Sequence, residues 1–398
     1  LEQLGAGIAS ENNPVVRSVL SSNRTWNDSN QNYRPDCDLT NFGQNGECGP
    51  IANVNFGRTN PNASRYDDAL LTGWGQRNYA WDFGTEVQHQ LRDGLSMTAG
   101  YYRNWSGNFR ITDNAAVTPA SYQPFCITAP IDARLPGGGG YPVCGLYDIV
   151  PAQFGQTANV VTSANQFYDA DSGVTCSQAG NLAGVAGRGN GVTCGRSDFF
   201  NVSLNSRLGR GITLGGGLDT GRTVVDNCFI VDSPQQMLNC HVVTPFKAQT
   251  QIKLYGNYPL PYGVSVSATY QNLPGASFEA NYNAPNSAIA PSLGRNLAAC
   301  GTRTNCTATV LVPLVAPMTQ FLERRNQMDL RFSKSLRLGR YRIQGNLDLY
   351  NAFNSSTVLS VNSNYGSAWQ RPVSDNAIGG VDPILPGRLI QVGGTIGF

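Results

Sequence analysis

Between Trp81 and Leu91 the side chains alternate, with Trp81, Phe83, Thr85, Val87, His89 and Leu91 on one parity and Asp82, Gly84, Glu86, Gln88 and Gln90 on the other. An extended strand sends successive side chains to opposite faces, so this stretch has one apolar and one polar face. Arg92-Asp93-Gly94 interrupts it, and Leu95, Met97, Ala99 and Tyr101 then resume the alternation against Ser96, Thr98, Gly100 and Tyr102, which predicts a hairpin. The unit recurs. Phe200, Val202, Leu204 and Leu208 lead to Gly209-Arg210-Gly211 and then to Ile212, Leu214 and Leu218. Phe246, Ala248, Ile252 and Leu254 lead through Pro259 to Gly263 into Val264, Val266, Ala268 and Tyr270. Met328, Leu330 and Phe332 lead past Leu338-Gly339-Arg340 to Ile343, Leu347 and Leu349. A ninth strand carries Ile390, Val392, Ile396 and Phe398.

The connections obey a second pattern. Turns within a hairpin are short and built on Gly, Arg or Pro, whereas the segments 110–196, 227–244, 272–326 and 354–386 between hairpins are long. Short turns at one end and long loops at the other describe a transmembrane barrel with periplasmic turns and extracellular loops. A soluble β-sandwich shares the alternation but predicts no such asymmetry and carries more surface charge. Here 14% of residues are charged, against roughly 25% in ordinary soluble domains. The expected fold is therefore all-β, an antiparallel transmembrane β-barrel with long extracellular loops. Because bacterial single-chain barrels have even strand numbers, the chain is expected to supply about 9–10 strands of a larger, incomplete barrel. An upstream strand ending near Gly7 is the candidate tenth. Residues 1–80 then hold a strand end and an extracellular loop segment, and residues 81–398 the barrel portion. The chain starts at Leu1 rather than Met, which suggests a part of a longer protein.

Composition narrows the chemistry. The longest apolar run, Val310 to Met318, contains two prolines and is about half the ~20 residues that a membrane-spanning helix needs. A formal net charge of +2 gives no electrostatic case for nucleic acid. With two histidines in the chain, His89 and His241, there is little room for His-based metal chemistry; His89 is expected to face lipid near the periplasmic rim and His241 to sit in a loop. No GxSxG, HExxH or P-loop pattern occurs, so no catalytic residue is expected. Gly137 to Gly140 precede no helical pattern and read as a bend in an outer loop. One metal candidate stands out: Asp28, Asn30 and Asn32, with Asp36 beyond, have the alternate spacing of oxygen-ligand calcium loops. The glycine expected next is Tyr33 and no bidentate Glu follows, so an Asn/Asp-rich surface turn is the competing reading. Tyr101, Trp105, Phe109, Tyr258, Tyr262, Tyr341 and Phe353 lie near predicted strand ends, where aromatic girdles settle at headgroup level.

All ten cysteines fall in predicted outer loops and none on a predicted strand. They occur as neighbours: Cys37 with Cys48, Cys126 with Cys144, Cys176 with Cys194, Cys228 with Cys240, and Cys300 with Cys306. With no C-x-x-C pair and no histidine set to complete a zinc site, an even count in an exported chain predicts disulfides within each loop. Because Cys126, Cys144, Cys176 and Cys194 share one loop, an exchange of partners there stays open.

The ordered series of words carries a resemblance. Arg24-Thr25-Trp26-Asn27-Asp28, Pro35-Asp36-Cys37-Asp38-Leu39, Gly73-Trp74-Gly75, the stretch 100–109 (GYYRNWSGNF), 134–141 (RLPGGGGY), 221–228 (GRTVVDNC), 325–333 (RNQMDLRFS) and 347–353 (LDLYNAF) are similar to the C-terminal barrel portion of TonB-dependent receptors. The likeness is to the Oar-like group, which carries a carboxypeptidase-regulatory-like domain. It implies a plugged barrel of typically 22 strands, energised through TonB, that imports a scarce nutrient: a siderophore, an oligosaccharide or a peptide. The sequence has no recognisable plug, TonB box or regulatory-like domain, so contact with TonB would run through a missing N-terminal region. The implied partners are outer-membrane lipid, the barrel-assembly machinery, TonB and a small nutrient, with a location in a Gram-negative-type outer membrane. The resemblance also implies that Phe398, the terminal aromatic, is the assembly signal. A passive porin and a surface adhesin barrel are the alternative functions.

Overall fold

A computed structural model describes residues 15, 17–60, 63–72, 78–167, 193–303, 305–374 and 382–398. Ahead of the main sheet come three short strands, β1 (Arg24–Trp26), β2 (Cys48–Ile51) and β3 (Arg65–Tyr66). β4 (Tyr79–Arg92) and β5 (Leu95–Gly107) form the first long hairpin. The next connection has strands of its own: β6 (Arg110–Asn114), β7 (Tyr122–Thr128), β8 (Pro142–Ile149) and β9 (Asn159–Ser163). β10 (Thr193–Arg207) and β11 (Thr213–Asp226) make the second hairpin, followed by the short β12 (His241–Thr244). β13 (Gln251–Leu260) and β14 (Val264–Leu273) make the third; β15 (Asn281–Pro285) and β16 (Thr309–Pro313) belong to the connection after it. β17 (Arg325–Leu338), β18 (Tyr341–Tyr350) and β19 (Leu389–Gly397) complete the set.

Nine of these strands form one antiparallel wall in the order β19-β18-β17-β14-β13-β11-β10-β5-β4, with β12 added beside β11. Every neighbour in the wall is the nearest wall strand in sequence, the meander expected of an up-and-down barrel. Register keeps apolar and polar side chains on separate faces over most of the wall. One row across the wall reads Met97, Leu204, Gly216, Leu254, Tyr270, Met328, and the adjacent row reads Ser96, Asn205, Gly215, Tyr255, Thr269, Asp329. At the other side, Tyr258, Val266, Phe332, Leu347 and Val392 stand next to Asn257, Ser267, Arg331, Asp348 and Gln391. A slip of one residue would interchange the two rows. The apolar row is exposed, as at Val202, Leu204 and Leu254. The polar row is cross-linked, for example by Arg331 Nη2 to Asp348 Oδ2 at 2.8 Å and Ser333 Oγ to Asn346 Oδ1 at 2.8 Å. No helix among the described residues is long and apolar enough to cross a membrane. The fold is all-β, and this antiparallel sheet with an apolar and a polar face is the wall of a barrel.

The short turns are held by backbone geometry. Gly94 has φ +74°, and a Cβ there would stand 2.2 Å from the carbonyl oxygen of Arg207 in the next hairpin. The hairpin ends touch at that point, where Arg207 N–H donates to the Gly94 carbonyl at 2.6 Å.

The long connections are more ordered than their polarity suggests. Phe125, Ile127, Leu135 and Leu146 from the first pack with Ala280, Ala284, Ile289, Leu297, Val312 and Leu314 from the third and Trp369 from the fourth; Leu238, from the second, lies against them. This is a soluble-type hydrophobic core, formed outside the wall by residues far apart in sequence.

Three expectations are corrected. Phe246 and Ala248 do not begin a strand: Phe246–Gln249 is one helical turn after Pro245, closed by Thr250 N–H to the Phe246 carbonyl, and β13 starts at Gln251. Cysteines do occur on strands, since Cys48 is in β2, Cys126 in β7, Cys144 in β8 and Cys194 at the outer end of β10. His241 is not a loop residue; it opens β12 opposite Asp226, whose Oδ2 is 3.0 Å from His241 Nδ1. The proposed strand end near Gly7 lies outside the described residues.

Candidate functional site

The connections between hairpins and the adjacent end of the polar face form the most elaborately bonded region among the described residues. Their shared core is joined by polar contacts that bridge one connection to another. Arg295 donates to Gln123 Oε1 at 2.6 Å, to Asp148 Oδ2 at 2.5 Å and to the Ile149 carbonyl at 2.9 Å. Tyr141 hydroxyl donates to the Leu314 carbonyl at 2.6 Å, and Trp369 Nε1 to the Glu279 carbonyl at 2.8 Å. Arg134 stacks its guanidinium 5.1 Å from the centroid of Trp369, donates to the Trp369 carbonyl at 3.0 Å and pairs with Asp132 at 2.6 Å. Hydrogen bonds from the Arg134 side chain and then its backbone N–H bring the Asp132 carboxyl down to about 2. Burial, and then the hydrogen bond to Asp132, pushes the Tyr365 hydroxyl up.

The bend at Gly137 to Gly140 belongs to this assembly. All four glycines have positive φ, and a Cβ on Gly139 would stand 1.9 Å from the Pro130 carbonyl oxygen. Only glycine satisfies both conditions.

Where the wall meets the connections, a crevice of about 370 Å³ opens among Gln249, Leu273, Phe321, Glu323, Arg325 and Val358. Gln249 Oε1 and Arg325 Nε are buried there without hydrogen-bond partners, while Gln249 Nε2 reaches Thr223 Oγ1 and Arg325 Nη2 reaches Gln271 Oε1. Gln271 and Thr223 are on the polar parity of the wall, so the crevice faces the lumen side. Its residues come from three separate connections. No spacing in the sequence marks them, and the legible signal is confined to the Arg324-Arg325 pair at the start of β17.

The structure joins Cys37 to Cys48, Cys126 to Cys144, Cys228 to Cys240 and Cys300 to Cys306. Cys176 lies outside the described residues, as does the side chain of Cys194, and so does their expected pairing. Asp28, Asn30, Asn32 and Asp36 do meet. Asp36 Oδ2 accepts the side-chain N–H groups of Asn30 at 2.5 Å and Asn32 at 2.8 Å, while Asp28 accepts the backbone N–H groups of Asn32 and Tyr33. Asn32 N–H is shared between Asp28 Oδ1 and Asn30 Oδ1, so the segment forms a hydrogen-bonded Asn/Asp-rich turn. Glu47, which sequence reasoning missed, anchors the segment: it accepts from Ser29, Trp26 Nε1 and Asp36 N–H. The Ser29 hydroxyl, followed by Trp26, holds its carboxyl at about 2. Phe398 follows β19 and is 98% exposed. Of the aromatics, Tyr258, Tyr262 and Tyr341 are exposed at the short-turn end and Phe353 at the other. Tyr101 is not near a strand end but inside β5, and Phe109 packs on Ala164 in a satellite core.

No family model matches the chain, and no curated relative does. Among solved structures, the chain is similar to the outer membrane transporter YddB from Escherichia coli, with a TM-score of 0.35 and 11% identity over 85% of this chain. The chain spans about a third of that transporter, 34% of its length.

Proposed function

We propose that this chain is the barrel portion of an outer-membrane TonB-dependent receptor whose full-length form imports a scarce nutrient: a siderophore, an oligosaccharide or a peptide. The observation that carries this reading is the two-faced wall, an exposed apolar row beside a hydrogen-bonded polar row, with short turns at one end and interlocked loops at the other. An apolar face in lipid and a polar face towards a lumen is the arrangement of a membrane barrel. The loops are then extracellular and the crevice beside Arg325 is where an incoming ligand meets the mouth. The chain acts by binding and passage, with no catalytic step. Phe398 is read by the barrel-assembly machinery, and TonB is engaged through a region outside this sequence.

Uptake by cells carrying the full-length protein tests the reading. Accumulation of a nutrient that stops when a protonophore collapses the proton-motive force is the expected result. Uptake that continues unchanged would assign a passive porin, and partner binding without uptake a surface adhesin. Deleting Phe398 from the full-length protein is expected to slow insertion; insertion at the normal rate would remove it as an assembly signal.

A further inference from the structure

The outward parity of the wall is mainly apolar, with His89 and Lys334 near the short-turn end, until it reaches the loop end of three neighbouring strands. There Arg103 on β5 pairs across to Asp198 on β10, Asp198 pairs to Arg222 on β11, and Arg196 stands two residues above Asp198. Asp198 lies 3.6 Å from Arg103 Nε and 3.0 Å from Arg196 Nε, and it accepts the Tyr101 hydroxyl at 2.8 Å. Arg222 has no carboxylate within ion-pairing distance among the described residues. Arg103 and Arg196, 8% and 14% exposed, share the one Asp198 carboxylate, and Arg222 is its cross-strand neighbour, which leaves two positive charges in excess beside the uncharged run Phe200, Val202 and Leu204.

Their height decides their meaning. Asp198 is ten residues along the strand from Leu208 at the short-turn end. Ten strand residues extend about 33 Å, and a tilt near 45° brings that to about 23–25 Å, the height of the outward apolar band of a membrane barrel. The cluster therefore starts where hydrocarbon gives way to headgroups. Trp81 and Trp105, paired to each other and next to Arg196, flank it as interfacial aromatics do. At the same level on β14 and β17 the polar donors are taken up by neutral oxygens. Asn272 and Asn326 bond each other, and Arg324 is committed to Asn272, Lys247 and Thr250 oxygens.

We propose that Arg196 and Arg222, backed by Arg103, form a binding site for the phosphate-bearing headgroup of a lipid in the outer leaflet. A phosphate has three oxygens for guanidinium donors that one carboxylate cannot satisfy, and bidentate Arg–phosphate pairing suits the planar fork. Asp198 holds the Arg103 and Arg196 guanidinium groups and limits the excess charge, while Arg222 is left with its charge unpaired among the described residues. The inference rests on the membrane reading of the wall.

The test uses the full-length protein in phosphatidylcholine bilayers, with brominated phosphatidic acid or brominated phosphatidylcholine as quencher of the flanking tryptophans. The expected result is preferential quenching by phosphatidic acid. In an Arg196→Gln/Arg222→Gln variant the apparent affinity for it should fall roughly thirtyfold, while an Arg337→Gln control at the opposite end keeps the preference. Equal quenching of the variant and the parent by brominated phosphatidylcholine shows that both have inserted. Equal quenching of the parent by both lipids, or a preference that survives in the double variant, would overturn the site. Displacement by inorganic phosphate would overturn the lipid as its ligand. No quenching by either lipid would overturn the membrane reading itself, and the site with it.

Discussion

The wall and the loop assembly use the same side chains in opposite ways. On the wall, Val202 and Leu204 are 43% and 46% exposed and their strand has no covering layer on that face. In the loops, Leu146 and Val312 are fully buried. The wall gains its order from register, each strand specified by hydrogen bonds to its sequence neighbour. The loops gain theirs from burial between partners that are distant in sequence. One region therefore depends on the medium outside it, and the other makes its own apolar interior.

The sharpest way to separate them is to damage the interior. Trp369→Ala removes the largest fully buried side chain, the Arg134 stacking surface and the donor to Glu279; it should cost the loop assembly about 3–5 kcal/mol. Protease nicking in the loops, with the wall intact in membranes, is the expected signature, and equal loss of both would deny their independence. Next, Leu204→Lys places a charge on the outward row, where barrels lose about 2–4 kcal/mol near mid-depth. Folding titrations in lipid should show that loss, whereas Ile131→Lys, at a loop position 83% exposed, should be close to neutral. If both substitutions were neutral, the outward row would not face lipid. Removing the Cys126–Cys144 bridge as a double alanine variant should cost the loops about 2–4 kcal/mol and leave the wall unchanged. Non-reducing peptide mapping of the parent also decides whether Cys176 joins Cys194. The smallest effect concerns pH. Glu47 is held at about 2 against an ordinary 4.5, so between those values the folded segment binds fewer protons than the unfolded one. Its stabilising contribution is complete above pH 4.5 and is lost as pH falls towards 2. The fluorescence assigned to Trp26, by difference from Trp26→Phe, should change over that window in the parent and not in Glu47→Gln.

The nine wall strands were legible because period two is a local signal: Leu214 and Leu218, or Val264 and Val266, announce their face without reference to any partner. It fades where a strand leaves the apolar band. Residues 193–199 of β10 carry Arg196 and Asp198 on the outward parity, so the strand continues through a stretch that reads as loop. Phe246-Lys247-Ala248-Gln249 fails in the opposite sense, alternating like a strand while the backbone turns after Pro245. The loop core was illegible because burial of Phe125 and Ile127 depends on Ile289 and Val312, more than 150 residues away. Cysteine proximity could be read from separations of 6 to 18 residues, since each closure is local. The Arg325 crevice had no such local signature, being assembled from three connections.

The common interior of the loops also governs how this protein can change over generations. A substitution at Leu146 must suit residues contributed by two other connections, so the loops cannot drift one at a time. Change that leaves the packing intact is open at positions such as Ile131, 83% exposed on the outside of the packed set, or requires replacement of the whole set together. The wall is freer, because an outward position such as Leu204 touches no covering layer and accepts one apolar side chain in place of another.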